Sequence, residues 1–146
     1  MMSTKFRLAG VLRLRRLEED TAKARLASAH ADLAQTVEEA GGLSAYLESS
    51  PDHATTGASL AAIAASRAAT SALFAALEAE ARRKSAEVDA AFSGLQGART
   101  ARLGLEKLED RHDQDVARAE GRAEQATLDE VASSTWRPTT GRTTRP

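Results

Sequence analysis

The sequence predicts an all-α protein, an antiparallel two-helix coiled-coil hairpin with a disordered C-terminal tail. Three observations predict it. Leucine and alanine recur at alternating four- and three-residue spacing in two long proline-free blocks. One cluster of proline, glycine and small polar residues separates the blocks. The composition is rich in alanine, roughly a fifth of the chain, and only 3% aromatic. An alanine side chain removes little area from water, whereas a large aromatic buries about 150–250 Å². A compact globule of 146 residues would therefore lack the bulk to fill its centre. Two helices side by side need only a seam, and alanine is the strongest helix former.

The first helix is expected over about residues 4–48. Leu12, Leu26, Leu33 and Leu47 share one heptad position, and Leu8, Ala22, Ala29 and Leu43 share the other. Arg15 and Glu19 interrupt this pattern, and Gly41-Gly42 weakens it, each glycine costing about 1 kcal/mol in a helix interior. A loop follows over about residues 49–57, where Thr55, Thr56 or Ser59 is placed to cap the next helix. The second helix is expected over about residues 58–132, roughly 110 Å at 1.5 Å per residue. Leu60, Phe74, Ala81, Val88 and Leu95 occupy one of its core positions; Ile63, Leu77, Ala91, Ala98 and Leu105 occupy the other. Gly94, Gly97 and Gly104 mark where a bend is expected.

The hairpin domain thus spans residues 1–132. Residues 133–146, with small polar residues, prolines and arginines around Trp136, read as a disordered tail. Interhelical register stays open, because an alanine seam accepts shifts of several residues.

The chemistry-bearing motifs point away from catalysis. With no cysteine there is no thiolate nucleophile, disulfide or thiolate metal site. No phosphate-cradling glycine loop occurs, and no serine or threonine sits beside a plausible base. His30, His53 and His112 lie far apart in sequence, which offers no metal site. The run Glu106-Lys107-Leu108-Glu109-Asp110-Arg111-His112-Asp113-Gln114-Asp115 has cations three or four residues from its carboxylates, the pattern of a solvated helix face. No cofactor is expected.

Charge does more to define partners. The net charge of −1 argues against a general nucleic-acid binder. Between Lys5 and Arg16 there are five cations and no acid, while from Glu106 to Glu130 acids outnumber bases nine to four. The basic stretch reads as solvated surface, a protein-docking patch or an anionic-lipid contact. No secretory signal is expected at the N-terminus, because charges interrupt every apolar stretch well short of a membrane-spanning length. Tyr46 near the hairpin tip either covers the end of the seam or anchors a partner.

Both ends of the sequence resemble the flagellar export protein family FliJ and its injectisome stalk relatives. The N-terminal run Phe6-Arg7-Leu8-Ala9-Gly10-Val11-Leu12-Arg13-Leu14-Arg15, with Glu18 and Glu19 behind it, is similar to that family's opening. Leu105-Glu106-Lys107-Leu108-Glu109-Asp110-Arg111, followed by Leu128-Asp129-Glu130-Val131-Ala132, is similar to its closing helix. The double glycine, the glycines near position 97 and the Trp-Arg-Pro tail depart from that pattern.

The resemblance implies a central-stalk-like coiled coil in flagellar type III protein export. It would bind the hexameric export ATPase, couple it to the membrane export gate protein and handle export chaperones. It would be cytoplasmic and peripheral at the inner face of the cell membrane. Candidate partner-binding residues are Phe6, Arg13, Arg15, Arg16, Tyr46, Phe74, Glu106, Arg111, Leu128, Asp129 and Glu130. By the stalk analogy the paired termini enter the ring and the loop end near Tyr46 and Phe74 faces the gate. The alternatives are an unrelated coiled-coil adaptor or scaffold, and a membrane-surface protein acting through its basic first helix.

Overall fold

The computed structural model describes residues 5–50 and 52–136. Two α-helices make up almost all of it: α1 over Ala9–Ser49 and α2 over Gly57–Thr135. Among the described residues there is no strand. The chain divides into two compact units, one of residues 13–102 and one combining residues 1–12 with 103–146.

The helix ends follow from local chemistry. At the start of α1 the Ala9 amide donates to the Phe6 carbonyl (3.2 Å) and the Leu12 amide to the Leu8 carbonyl (2.9 Å). Regular helix thus begins at Ala9, later than expected, and Thr4 lies outside the described residues. The other end closes on Tyr46, whose carbonyl accepts from the hydroxyls of Ser49 (3.0 Å) and Ser50 (2.9 Å). Gly41-Gly42 is carried within α1 without a break.

The α2 cap is reciprocal. The Ser59 amide donates to Thr56 Oγ1 (3.1 Å), and the Thr56 amide donates to Ser59 Oγ (3.0 Å). This is a capping box with serine in place of the usual Glu or Gln, satisfying two helix-end donors at once. Of the three residues expected to cap, Thr56 is the cap and Ser59 its counterpart. The helix then runs unbroken through Gly94, Gly97, Gly104 and Gly121. It also continues through Ser133, Ser134 and Thr135, three residues beyond its expected end. Their hydroxyls fold back onto the carbonyls of Asp129, Val131 and Ala132. The rest of the expected tail, residues 137–146, lies outside the described residues.

In the unit of residues 13–102, α1 and α2 pack through one stripe each. On α1 the covered positions include Arg15, Glu19, Ala22, Leu26, Ala29, Leu33, Thr36, Ala40, Leu43 and Leu47, with Ser50 just past its end. On α2 they include Thr70, Phe74, Leu77, Ala81, Lys84, Val88, Ala91, Leu95, Ala98 and Arg102. Both stripes alternate steps of three and four residues, the knobs-into-holes frame of a coiled coil. Arg15 and Glu19, expected to interrupt the seam, are part of it: Glu19 is only 5% exposed.

Two cross-helix polar contacts fix the register. Lys84 Nζ donates to Thr36 Oγ1 (2.9 Å), and Arg102 Nε donates to the Glu19 carboxylate. Moving seventeen residues back along α1 thus matches moving eighteen forward along α2, as antiparallel helices of equal rise require. Continued the other way, this register sets Ser50 beside Thr70. The run of α2 from Gly57 to Thr70, about 20 Å long, therefore extends past the end of α1. Leu60 there is 61% exposed.

That same stretch corrects the expectation about apolar length. From Gly57 to Leu77 the only charged residue is Arg67, and α2 is long and apolar enough in one window to cross a membrane. The hydropathy comes from alanines, which are apolar but small.

In the other unit, Leu12 is 2% exposed and the Phe6 ring packs on the His112 ring, centroids 5.6 Å apart and tilted by 44°. Leu105, Glu109, His112 and Val116 are half-buried. From Ala117 to Trp136 every side chain is exposed.

Removing the α2 cap tests this account of the helix ends. Thr56→Ala should cost about 1 kcal/mol in urea or thermal unfolding. Ser59→Ala combined with it should add less than its separate cost, because each serves the same box.

Candidate partner-binding surfaces

The buried polar layers come first, because they position everything along α1 and α2. Lys84 Nζ donates to two acceptors, Thr36 Oγ1 and the Asp32 carbonyl (3.3 Å), and pairs electrostatically with the Glu80 carboxylate at 3.8 Å. Thr36, 2% exposed, donates its own proton to the Asp32 carbonyl (3.2 Å). The layer is closed: the ammonium reaches it along an aliphatic stem and every buried hydroxyl is used. Thr70, the third polar seam residue, satisfies its hydroxyl on the Ser66 carbonyl (2.8 Å).

Glu19 is held by two cations. Arg102 donates to one carboxylate oxygen, and Lys23 lies 3.2 Å from the other. The Arg102 hydrogen bond, with Lys23 adding to it, holds the Glu19 carboxyl below the usual carboxylate range; burial opposes this without reversing it. Lys23 is raised in turn, first by its hydrogen bond to Glu19 and then by Asp20. In this layer the acid stands on α1 and the base on α2.

The candidate partner-binding residues divide between the two units. In the unit of residues 13–102, Arg13 and Arg16 are exposed, and Arg15 turns to its own helix, 2.7 Å from Glu18. Tyr46 is 58% exposed beside the end of α1. Phe74 is half-buried in the seam, where it serves packing before any partner. In the other unit Phe6 is half-buried against His112, Glu106 is half-buried, and Arg111 is exposed. Leu128 (63% exposed), Asp129 and Glu130 lie on the fully exposed stretch of α2; Asp129 accepts from Gln125 Nε2 at 2.9 Å.

That exposed stretch adds two residues to the expected set. Val131 is 55% exposed and Trp136 is 79% exposed, both near Leu128 in sequence. Isolated helix this polar is marginal in water, and local contacts such as Asp115–Arg118 (3.3 Å) and Gln125–Asp129 support it weakly. An apolar cluster on such a helix suits a docking surface better than a core. A hollow along the same helix, lined by Asp115, Arg118, Gly121, Arg122 and Gln125, is wide open to solvent. The histidines stand apart: His30 is exposed on α1, and His53 lies 3.1 Å from its neighbour Asp52 in the connection.

The lowered Glu19 carboxyl has a definite consequence for stability against pH. A carboxylate depressed on folding stabilises the fold above its unfolded pKa, and that stability is lost as pH falls through the folded value. Thermal unfolding followed from pH 7 down through about pH 4 should therefore lose more stability in the wild type than in Glu19→Gln. Equal slopes would remove the ion pair from the account of acid sensitivity.

Comparison with known proteins adds one finding. No curated protein and no solved structure matches the chain. The family model described as flagellar FliJ protein matches residues 4–140, which takes in α1, the connection, α2 and the start of the tail. Two unbroken helices and an alternating three-and-four seam agree with that match over nearly the whole chain, and on this ground the chain belongs to the flagellar FliJ protein family.

Proposed function

We propose that this protein is a non-catalytic, central-stalk-like coiled coil of flagellar type III protein export. It binds the hexameric export ATPase, couples that ring to the membrane export gate and handles export chaperones. The family match over residues 4–140 carries the reading, and it supports a role in flagellar protein export. The uncovered end of α2 supports the docking part. Ala117–Trp136 holds a complete helix with no seam partner among the described residues, and presents Leu128, Val131 and Trp136 to solvent. Exposed large apolar groups on a helix that needs a partner are the features of a helix-in-groove contact.

The ATPase ring takes the unit in which Phe6 packs on His112 and Leu12 is buried, and the gate takes the loop end with Tyr46 exposed. Work is done by position and stiffness, with no bond made or broken by the chain itself. The protein acts in the cytoplasm, peripheral to the inner face of the membrane, where ATPase and gate meet.

Purified protein should stimulate the ATP hydrolysis of an export ATPase, and deletion of its gene should abolish swimming. Leu128→Asp with Val131→Asp should cut the stimulation at least tenfold while circular dichroism keeps most of the helicity. Stimulation unchanged by the double variant would move the contact elsewhere; no stimulation by the wild type, with normal swimming in the deletion, would end the stalk reading.

A further inference from the structure

The register of the hairpin is set by polar side chains, and the chain length between the helices limits how it can change. Ser50 stands beside Thr70, so the connection from Ser50 to Gly57 spans about 20 Å along α2. Seven residues reach about 25 Å at most. Sliding α1 one heptad away from the connection would require about 30 Å, beyond that reach. Sliding it one heptad toward the connection requires about 10 Å, well within reach.

In that second register the middle apolar layers close again. Ala22 meets Ala91, Leu26 meets Val88 and Leu33 meets Ala81, all by the same heptad frame. The cost falls on the cross-helix polar contacts and on the loop end of the seam. Glu19 would face Leu95, lose Arg102 and keep Lys23; Lys84 would face Ala29, lose Thr36 and keep Glu80. Leu43 would exchange Leu77 for Thr70, and Leu47 would exchange Phe74 for Arg67. Losing a cross-helix partner in the seam is unfavourable, whereas small apolar layers discriminate weakly.

We propose that Glu19–Arg102 and Thr36–Lys84 form a register lock, and that releasing it lets α1 slide one heptad toward the connection and in no other direction. The displacement is about 10 Å along α2. Any partner that draws Arg102 or Glu19 to itself releases the lock. The hairpin is then a two-position device, with the connection as its mechanical stop.

The chain has no cysteine, so engineered pairs report register cleanly. Ala22→Cys with Ala98→Cys marks the observed register, and Ala22→Cys with Ala91→Cys marks the slid one. In the otherwise wild-type chain the first pair should oxidise to a disulfide and the second should not. On a background of Glu19→Ala, Lys84→Ala and Arg102→Ala, the yield from the second pair should rise at least tenfold. The charge-exchanged background Glu19→Arg with Arg102→Glu should return the preference to the first pair. A second-pair yield in the alanine background no higher than in the otherwise wild-type chain overturns the proposal. So does loss of helicity there, since the lock requires a second folded register, and so does failure of the exchanged pair to restore the first.

Discussion

An alanine seam holds two helices close and says almost nothing about their alignment. Each alanine buries a single methyl group, and a row of methyl groups meets another row equally well at many offsets. The Glu19–Arg102 pair ends that indifference, helped by the Lys84 ammonium set among Thr36, Asp32 and Glu80. Buried charges contribute little net stability, because desolvation consumes most of their attraction. Their effect here is on specificity: every other alignment leaves Glu19 and Lys84 with charge partners on their own helices only.

The fold was legible because two signals agreed. Proline-free blocks set the helices, and the Leu/Ala spacing set their inner faces. The residues that defeated the reading were polar ones on the heptad frame. Arg15 and Glu19 read as interruptions because charge normally faces water, yet the frame passes through both without a skip. Thr36, Lys84 and Arg102 fall on core positions by the same arithmetic and could have been paired from it. What sequence alone lacked was the offset between the helices, a tertiary quantity that no periodicity contains.

The candidate surfaces were legible in a different measure. Leu128, Asp129 and Glu130 were singled out by resemblance to a family ending, and they lie on a stretch with every side chain exposed. Phe74 and Phe6 were singled out as aromatics, and both are occupied within the chain, one in the seam and one against His112. An aromatic residue in an alanine-rich helix is scarce bulk, and the fold uses that bulk first. Val131 and Trp136 were missed because exposure on an unpaired helix end cannot be read from a pattern that assumes a partner throughout.

The glycines of α2 have a mechanical meaning. A Cβ added at Gly94, Gly97, Gly104 or Gly121 would meet nothing within 4 Å, so no steric demand explains any of them. Alanine would fit at all four and would strengthen the helix by about 1 kcal/mol at each. The helix is thus softer than its own surroundings require, and its bending rigidity is set by composition instead of by packing. Where the helix opens, it opens first at these positions.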